Sequence, residues 1–197
     1  MRRPTLLFDL DGTLTDARPG IVACIRHAVE GMGRPCPDDD ALAAFIGPPL
    51  RGTFATLLQT TDRDRIEAAM ALPEMLAAVG GRAQATFVAT SKPTMYAERI
   101  VRHFDLARHF AGVYGTELDA RLDDKAVLLA RLMECEGIAR GAAVMIGDRA
   151  ADVRAAHANG LRAIGVLWGY GSERELREAG AAVLCAEPRA LAACLVG

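Results

Sequence analysis

Residues 8–14, FDLDGTL, place two carboxylates one residue apart at the end of the apolar segment TLLF. Two like charges so close together repel each other, and each also loses hydration when it lies near a protein interior. The pair Asp9 and Asp11 therefore raises the free energy of the folded chain unless positive groups lie opposite it. The fold must bring such groups from elsewhere in the sequence to the end of the first apolar segment.

Short apolar segments alternate with segments of helical length and periodicity along most of the chain. The strand-like segments are TLLFDLDG, ATFVATSKP, GVYG, AAVMIGD, LRAIGVLWG and AAVLCAEP. Helical patterns lie between the later ones, at residues 93–104, 124–136, 148–158 and 172–179. Strands that alternate with helices predict a doubly wound α/β fold, in which helices cover both faces of a parallel sheet. Ligands bind at the carboxyl ends of strands in such sheets, so Asp9 and Asp11 lie at the predicted crevice.

The interval of residues 16–81 has helical periodicity and lacks a convincing strand. Its clearest helix is at residues 21–32, where apolar side chains recur with i, i+3 and i+4 spacing. We therefore predict an α/β core formed by residues 1–15 and 82–197. Residues 16–81 are predicted to form a small helical cap, inserted after the first strand.

The bulk composition favours small-molecule chemistry. The chain has 197 residues, of which 51% are hydrophobic, and its 23 basic and 25 acidic residues are mixed along the sequence to a net charge of -2. This balance indicates no nucleic-acid partner. A membrane-spanning helix needs about 18 apolar residues in a row, and no segment reaches that length. The five cysteines form no CxxC pair, so we expect them to be reduced in a cytoplasmic protein. A monomer or a small homo-oligomer is expected.

Polar side chains follow several of the later strand-like segments as well. Lys125 opens a helical segment after LDD, and Asp148 ends the segment AAVMIGD. If the first strand is central in the sheet, both residues lie beside Asp9 and Asp11. The expected compensation is a divalent cation held by Asp9, Asp11 and Asp148, while Lys125 supplies a second, fixed positive charge. Carboxylate and carbonyl oxygens suit Mg²⁺, which commonly also takes an oxygen from a substrate phosphate.

These residues fall into motifs that resemble those of the haloacid dehalogenase superfamily of phosphohydrolases. The first motif, DxDGT, corresponds to residues 9–13, and the second corresponds to the apolar strand FVAT, which ends at Thr90. The third motif is a lysine, here Lys125, and the fourth, GDxxxD, corresponds to residues 147–152. The stretches TSKPTMYAERI, DDKAVLL, IGDRAADV and VLWGYGS resemble the phosphoglycolate-phosphatase-like branch, which carries a helical cap between the first two motifs.

The resemblance implies hydrolysis of a phosphate ester through an aspartyl-phosphate. Asp9 is then the nucleophile that attacks phosphorus, which divides one difficult displacement into two easier ones. Asp11 is the general acid that protonates the leaving oxygen, and it is also the general base that then takes a proton from water. Mg²⁺ and Lys125 stabilise the transferred group, which stays negatively charged throughout the reaction.

Further side chains are expected to bind the phosphate or to support the site. Thr90 and the backbone N–H of Ser91 can hydrogen-bond the phosphate at the end of the second strand. Asp152 is expected to support the metal or Lys125 from outside the ligand set.

The cap is expected to give substrate selectivity by closing over the crevice and excluding water. Arg51, which follows the segment FIGPPL, is the candidate contact for the anionic end of the substrate. Residues 58–85 are fewer than the caps of similar proteins contain at this point, and the usual aromatic-Pro-Gly turn is missing. A shortened cap of this kind leaves a more open crevice.

Three functions are open on these residues. The first is a Mg²⁺-dependent phosphatase of small phosphorylated metabolites, with phosphoglycolate or a sugar phosphate as the leading substrates. The second is a phosphomutase of the β-phosphoglucomutase type, which uses the same two aspartates and returns the phosphoryl group to the substrate. The third is a non-catalytic module that binds a phosphate ligand or a protein partner. The intact acids Asp9 and Asp11 favour an enzyme.

Overall fold

The computed structural model describes residues 3–15, 75–117 and 124–195. The chain divides into two compact units, one formed by Met1–Thr15 and Leu72–Gly197 and the other by Asp16–Ala71. Arg51 and most of the predicted cap lie outside the described residues, so their roles stay predictions. All structural statements below concern the first unit.

Six parallel strands form one sheet in the order β3-β2-β1-β4-β5-β6. The strands are β1 (Thr5–Phe8), β2 (Thr86–Pro93), β3 (Gly112–Thr116), β4 (Ala143–Gly147), β5 (Arg162–Val166) and β6 (Val183–Cys185). The chain builds the sheet outward from β1 to β3 and then continues on the other side of β1 with β4. The predicted doubly wound α/β fold is therefore confirmed, and the order reverses between β1 and β4, where such sheets bind ligands.

Helices connect the later strands and cover the sheet. They are α1 (Thr94–His103), α2 (Lys125–Cys135), α3 (Ala150–Ala158), α4 (Glu173–Glu178) and α5 (Leu191–Cys194). Short 3-10 helices lie at Ala107–His109 and Pro188–Ala190, and residues 75–80 are also helical. Within the described part of the chain, no helix combines the length and apolar character needed to span a bilayer.

The central strand β1 is buried on both faces. Successive residues of a strand point to opposite faces, so Leu6 and Phe8 pack in one apolar cluster and Leu7 packs in another. The first cluster includes side chains of α1 and α5, and the second includes side chains of α2 and α3. Each large apolar side chain buried in this way stabilises the fold by about 1.5–3 kcal/mol. This double burial explains why the segment TLLF is uniformly apolar except for its first residue.

The helical residues 75–80 also pack in the core. Met75, Leu76 and Val79 are buried in the same cluster as Leu6 and Phe8. The end of the interval predicted as a cap thus lies with the core. Residues 16–74 are outside the described ranges, and their role as a cap stays a prediction.

The start of α3, directly after Asp148, is fixed by two carboxylates. Glu175, on α4, accepts hydrogen bonds from the backbone N–H of Ala150 and from Nε of Arg149, both at 2.9 Å. Asp152 accepts one from the backbone N–H of Arg149 at 2.9 Å. These bonds satisfy N–H groups that have no partner inside the helix, so the turn that presents Asp148 is held in place.

The charge of Glu175 should therefore stabilise the fold in a pH-dependent way. The Ala150 N–H, followed by the Arg149 guanidinium, lowers the pKa of Glu175 below its ordinary 4.5. A lowered pKa in the folded state means that this stabilisation is present above the unfolded-state pKa and is lost as the pH falls through the folded-state pKa. We expect Glu175→Gln to lower stability by about 1 kcal/mol or less at neutral pH, since the pair is partly exposed.

Thermal melts from neutral pH down to below 4.5 would measure this effect. The difference in Tm between wild type and Glu175→Gln should shrink as the pH falls. Glu173→Gln is the matched control, because Glu173 lies on the same helix and pairs with the exposed Arg177 of that helix. A Tm difference that stays constant with pH would contradict the assignment.

Candidate active site

A buried ion pair joins the end of β1 to the start of α2. The backbone N–H of Asp9 donates to the carbonyl of Ile146 on β4 at 2.8 Å, so the ladder of β1 continues through this residue. Nζ of Lys125 lies 2.6 Å from Oδ1 of Asp9 and also forms an ion pair with Asp152. Lys125 occupies this position because it is the first residue of α2, whose N-cap is Asp124. Asp9, Lys125 and Asp152 are far apart in the sequence, and the fold brings them together at the carboxyl edge of the sheet.

Three buried acidic side chains lie at this edge, and Lys125 is the cation that contacts them among the residues that the structure describes. Asp9, Asp148 and Asp152 are all buried, and each offers a carboxylate oxygen such that the three oxygens lie within 4.8 Å of one another. Lys125 pairs with two of the three. Carboxylate oxygens are the ligands that hard divalent cations take, and an excess of buried negative charge favours such an ion. The residues present therefore fit a divalent cation.

The pKa values reflect the same shortage of positive charge. Burial raises the pKa of Asp9 from 3.8 to about 7, although the attraction of Lys125 opposes this shift. Burial also raises the pKa of Asp148. Burial by itself would lower the pKa of Lys125, but attraction to Asp9 and Asp152 outweighs it, so that pKa is raised. Lys125 thus keeps its proton, while Asp9 needs further positive charge to be fully ionised.

Asp148 is fully buried at the end of β4, and two neutral donors hold its carboxylate. Oδ1 accepts a hydrogen bond from the hydroxyl of Thr13 at 3.2 Å, and Oδ2 accepts one from the backbone N–H of Tyr170 at 2.7 Å. Gly12 has a φ of +88°, and a Cβ there would overlap the Asp148 carboxylate. The glycine of the DxDGT motif is therefore required both by its backbone conformation and by the approach of Asp148.

Asp11 has a different environment from Asp9. Its Oδ2 lies 3.1 Å from Nζ of Lys92, whereas its Oδ1 is buried without a hydrogen-bond partner among the residues that the structure describes. The sequence grouped Asp11 with Asp9 and Asp148, but the three mutually close carboxylates include Asp152 instead. Lys92 was not singled out by the sequence, although it follows Thr90 and Ser91 in the same segment, TSKP.

Thr90 and Ser91 lie on β2, next to β1. Phe8 pairs with Val88 in the ladder, so Thr90 lies at the same edge of the sheet as the residues after Phe8. Thr90 is buried and its hydroxyl accepts a hydrogen bond from the backbone N–H of Lys92 at 3.2 Å. Ser91 is exposed, and its carbonyl accepts a bond from the hydroxyl of Thr116 at 3.2 Å.

Comparison with known proteins matches this arrangement to one family. Residues 6–166 match the profile of the family described as haloacid dehalogenase-like hydrolase. The 5'-nucleotidase of Pseudomonas aeruginosa is 41% identical over 212 aligned residues, which cover 97% of this chain and 95% of that protein. The phosphoglycolate phosphatase of Pseudomonas fluorescens is 26% identical, over 88% of this chain and 72% of that protein.

The similarity extends to a kinase-named relative and to solved structures. The tyrosine-protein kinase PtkA of Mycobacterium tuberculosis is 34% identical, over 84% of this chain and 62% of that protein. The crystal structure of a predicted phosphatase from Clostridium acetobutylicum is 31% identical, with a TM-score of 0.75, and covers 100% of this chain and 99% of that one. The chain therefore belongs to the haloacid dehalogenase-like hydrolase family, and it is a phosphatase.

Proposed function

We propose that the protein hydrolyses small phosphate monoesters through an aspartyl-phosphate on Asp9, with Mg²⁺ as its cation. The observation that carries this proposal is the buried contact of Asp9 with Lys125, at the edge of the sheet where Asp148 and Asp152 also lie. A carboxylate held beside a buried ammonium suits nucleophilic attack on phosphorus. The neighbouring carboxylates would repel the phosphate, so the site also needs further positive charge.

In the first step, an oxygen of Asp9 forms a bond to phosphorus and the bond from phosphorus to the leaving oxygen breaks. Asp11 gives its proton to that oxygen, so the product leaves as an alcohol. The buried Oδ1 of Asp11, which has no hydrogen-bond partner in the described part of the chain, supports this role. Lys92 pairs with the other oxygen and orients the carboxyl group.

In the second step, water attacks the phosphorus of the aspartyl-phosphate. Asp11 accepts a proton from the water, and the bond between phosphorus and Asp9 breaks. Inorganic phosphate leaves, and both aspartates return to their starting states. The reaction consumes one ester and one water and forms one alcohol and one phosphate.

Asp9, Asp11 and Asp148 are proposed to hold Mg²⁺, and Asp11 would do so through its carbonyl oxygen, because its carboxyl group carries the proton that it gives to the leaving oxygen. Asp152 supports the site through Lys125, because one of its oxygens contacts that ammonium and the other accepts the Arg149 N–H. When bound, Mg²⁺ neutralises charge that develops on the phosphoryl oxygens.

Thr90, the backbone N–H of Ser91 and Lys125 are proposed to bind the phosphoryl oxygens. Thr90 lies on the strand next to Asp9, and Ser91 is exposed beside it. Arg51 is proposed to contact the anionic end of the substrate from the cap. The roles of Thr90, Ser91 and Lys125 follow from the sequence motifs, and the edge of the sheet where Asp9 and Asp11 lie is where these roles would be exercised.

The substrate class is proposed from both the motifs and the relatives. The sequence favours phosphoglycolate or a sugar phosphate. The 5'-nucleotidase of Pseudomonas aeruginosa adds nucleoside 5'-monophosphates, and its 41% identity exceeds the 26% of the phosphoglycolate phosphatase. A phosphate monoester of a small polar alcohol is common to all three.

Release of inorganic phosphate from a panel of esters tests the proposal. The panel contains nucleoside 5'-monophosphates, phosphoglycolate and hexose phosphates, each with Mg²⁺ and with excess chelator. We expect release that depends on Mg²⁺ and that is concentrated on one class of ester. Folded protein that releases no phosphate from any of them would overturn the proposal.

The panel also separates the alternatives. Conversion of hexose 1-phosphate into hexose 6-phosphate without release of phosphate would favour the phosphomutase. Binding of Mg²⁺ without turnover would favour the non-catalytic module. The expected cytoplasmic location and the expected monomer or small homo-oligomer stay predictions.

A further inference from the structure

The loop of residues 168–171 packs directly against Asp148. A Cβ on Gly169 would overlap the side chain of Asp148, and a Cβ on Gly171 would overlap its carbonyl oxygen. Between the two glycines, the backbone N–H of Tyr170 donates to Oδ2 of Asp148. The loop therefore lies as close to Asp148 as backbone atoms allow, and only glycine fits at the two flanking positions.

Trp168 opens this loop and bonds to the other side of the site. Its indole Nε1 donates to the backbone carbonyl of Thr13 at 2.9 Å. The ring is partly buried against the core cluster. Thr13 is itself buried, and its hydroxyl donates to Oδ1 of Asp148 at 3.2 Å. A continuous path of hydrogen bonds thus leads from the indole through Thr13 to the carboxylate of Asp148.

The turn between Asp11 and Thr13 has little freedom to move independently. Gly12 adopts a φ of +88°, and the space beside its Cα is filled by the Asp148 carboxylate. The carbonyl oxygen of Gly12 lies 2.5 Å from where a Cβ of Gly169 would be. Close packing transmits small displacements, so a shift of Thr13 would move the oxygen of Asp148 that its hydroxyl holds.

We propose that Trp168 is a positioning residue, which fixes the Asp148 carboxylate for a divalent cation by holding the backbone of Thr13. This inference rests on the proposed function, in which Asp148 is a ligand of Mg²⁺. Partners outside the ligand set orient metal ligands, and their loss weakens binding although no ligand is removed. The indole N–H is the group that matters, because the Thr13 carbonyl is left without its donor when this N–H is absent.

Trp168→Phe removes the N–H and keeps an aromatic ring. Calorimetric titration with Mg²⁺ alone should show binding weaker by about 10-fold than in wild type, the lower end of what loss of such a partner costs. Tyr114→Phe is the matched control, since it removes an aromatic donor that bonds to Glu136 at 2.5 Å, on the surface and away from these residues. Its Mg²⁺ affinity should equal that of wild type.

A second readout needs no variant. Trp168 is the one tryptophan of the chain, so the tryptophan emission reports this indole alone. Titration of wild-type protein with Mg²⁺ should change that emission, with the same midpoint as the calorimetric titration. This measurement decides the matter if Trp168→Phe does not fold, as judged by circular dichroism.

The outcomes separate this inference from the function on which it rests. Wild-type affinity in a folded Trp168→Phe, or a constant emission while calorimetry shows binding, would overturn the role of Trp168 and leave the metal site standing. Absence of Mg²⁺ binding to wild-type protein would overturn both. Weaker binding in Trp168→Phe, unchanged binding in Tyr114→Phe and a saturable change in emission would support the inference.

Discussion

Asp9→Asn is expected to reduce the turnover of phosphate esters by on the order of 10⁴-fold or more, as loss of a nucleophile does in other enzymes. The neutral amide has the same shape, but it has no charged oxygen with which to attack phosphorus. Release of inorganic phosphate from the best ester of the panel measures the effect. The position of Asp9 at the end of β1, buried beside Lys125, is the structural basis of this expectation.

The same substitution should not destabilise the fold in metal-free buffer. Burial raises the pKa of Asp9 to about 7, which means that the protonated form is favoured in the folded state. The protonated form of Asp9 therefore contributes to the stability of wild type below the unfolded-state pKa, and this contribution is lost as the pH rises through the folded-state pKa. Asn is neutral at every pH, so the Tm of Asp9→Asn relative to wild type should increase between pH 3.8 and about 7.

Asp105→Asn is the matched control for both measurements. Asp105 is exposed, pairs with Arg108, and has a φ of 54°, a conformation that asparagine tolerates well. Its turnover should equal that of wild type. Turnover retained in Asp9→Asn would contradict the role of Asp9 as nucleophile. A pH-independent Tm difference between Asp9→Asn and wild type would contradict the raised pKa.

The fold could be predicted because burial on both faces of a parallel sheet leaves a direct mark on the sequence. β1 and β4, TLLF and AVMIG, are almost uniformly apolar, and each is followed by an aspartate. Strand order then places Asp9 and Asp148 side by side, since β1 and β4 pair in parallel with Phe8 opposite Ile146. The apolar pattern of the sequence therefore shows at which strand end each aspartate lies.

The direction in which a side chain points was not readable from the pattern, and for Asp152 only the motif resemblance led us to expect support of the metal or Lys125. Asp152 is the third residue of α3, and the turn of that helix aims its carboxylate at Lys125 and at the Arg149 N–H. Its spacing of four residues from Asp148 was a signal that both lie near the start of one helix. The contact of Lys92 with Asp11 depends on the irregular register of β2 after Ala89, for which the sequence has no periodic signal.

Hydrogen bonds between residues that are far apart in the chain also could not be predicted from the sequence. Trp168 and Thr13 are separated by 155 positions, and nothing local to either residue indicates that they meet. The structure shows that both glycines of WGYG, Gly169 and Gly171, are required by the approach of Asp148. A pattern of glycines reports backbone freedom, whereas close packing against a distant side chain becomes visible only in the folded chain.

Lys125→Met is expected to lower the free energy of unfolding by about 3–5 kcal/mol at neutral pH, because it leaves buried carboxylates without their cation. Methionine fills a similar volume, so the loss is one of charge. Lys125 is buried and contacts both Asp9 and Asp152. Chemical denaturation measures the change. Arg131→Met is the matched control, since its pair with Glu117 is exposed and should contribute less than about 1 kcal/mol.

A second variant shows which carboxylate is responsible. Without Lys125, Asp9 can take up a proton, since burial already raises its pKa to about 7. The charge left in the fold is then chiefly that of Asp152. Lys125→Met combined with Asp152→Asn should recover most of the lost stability, because the amide oxygen can still accept the Arg149 N–H. It should recover none of the activity, since the phosphoryl group still lacks the ammonium.

The cycle of these variants separates a structural role of Lys125 from a catalytic one. If the combined variant is no more stable than Lys125→Met, the stabilisation by Lys125 comes from packing of its aliphatic chain, and the ion pair with Asp152 contributes little. If the combined variant regains activity as well as stability, Lys125 serves the reaction only by keeping the site folded. Recovery of stability without activity would mean that the same ammonium neutralises Asp152 in the fold and the phosphoryl group in the reaction.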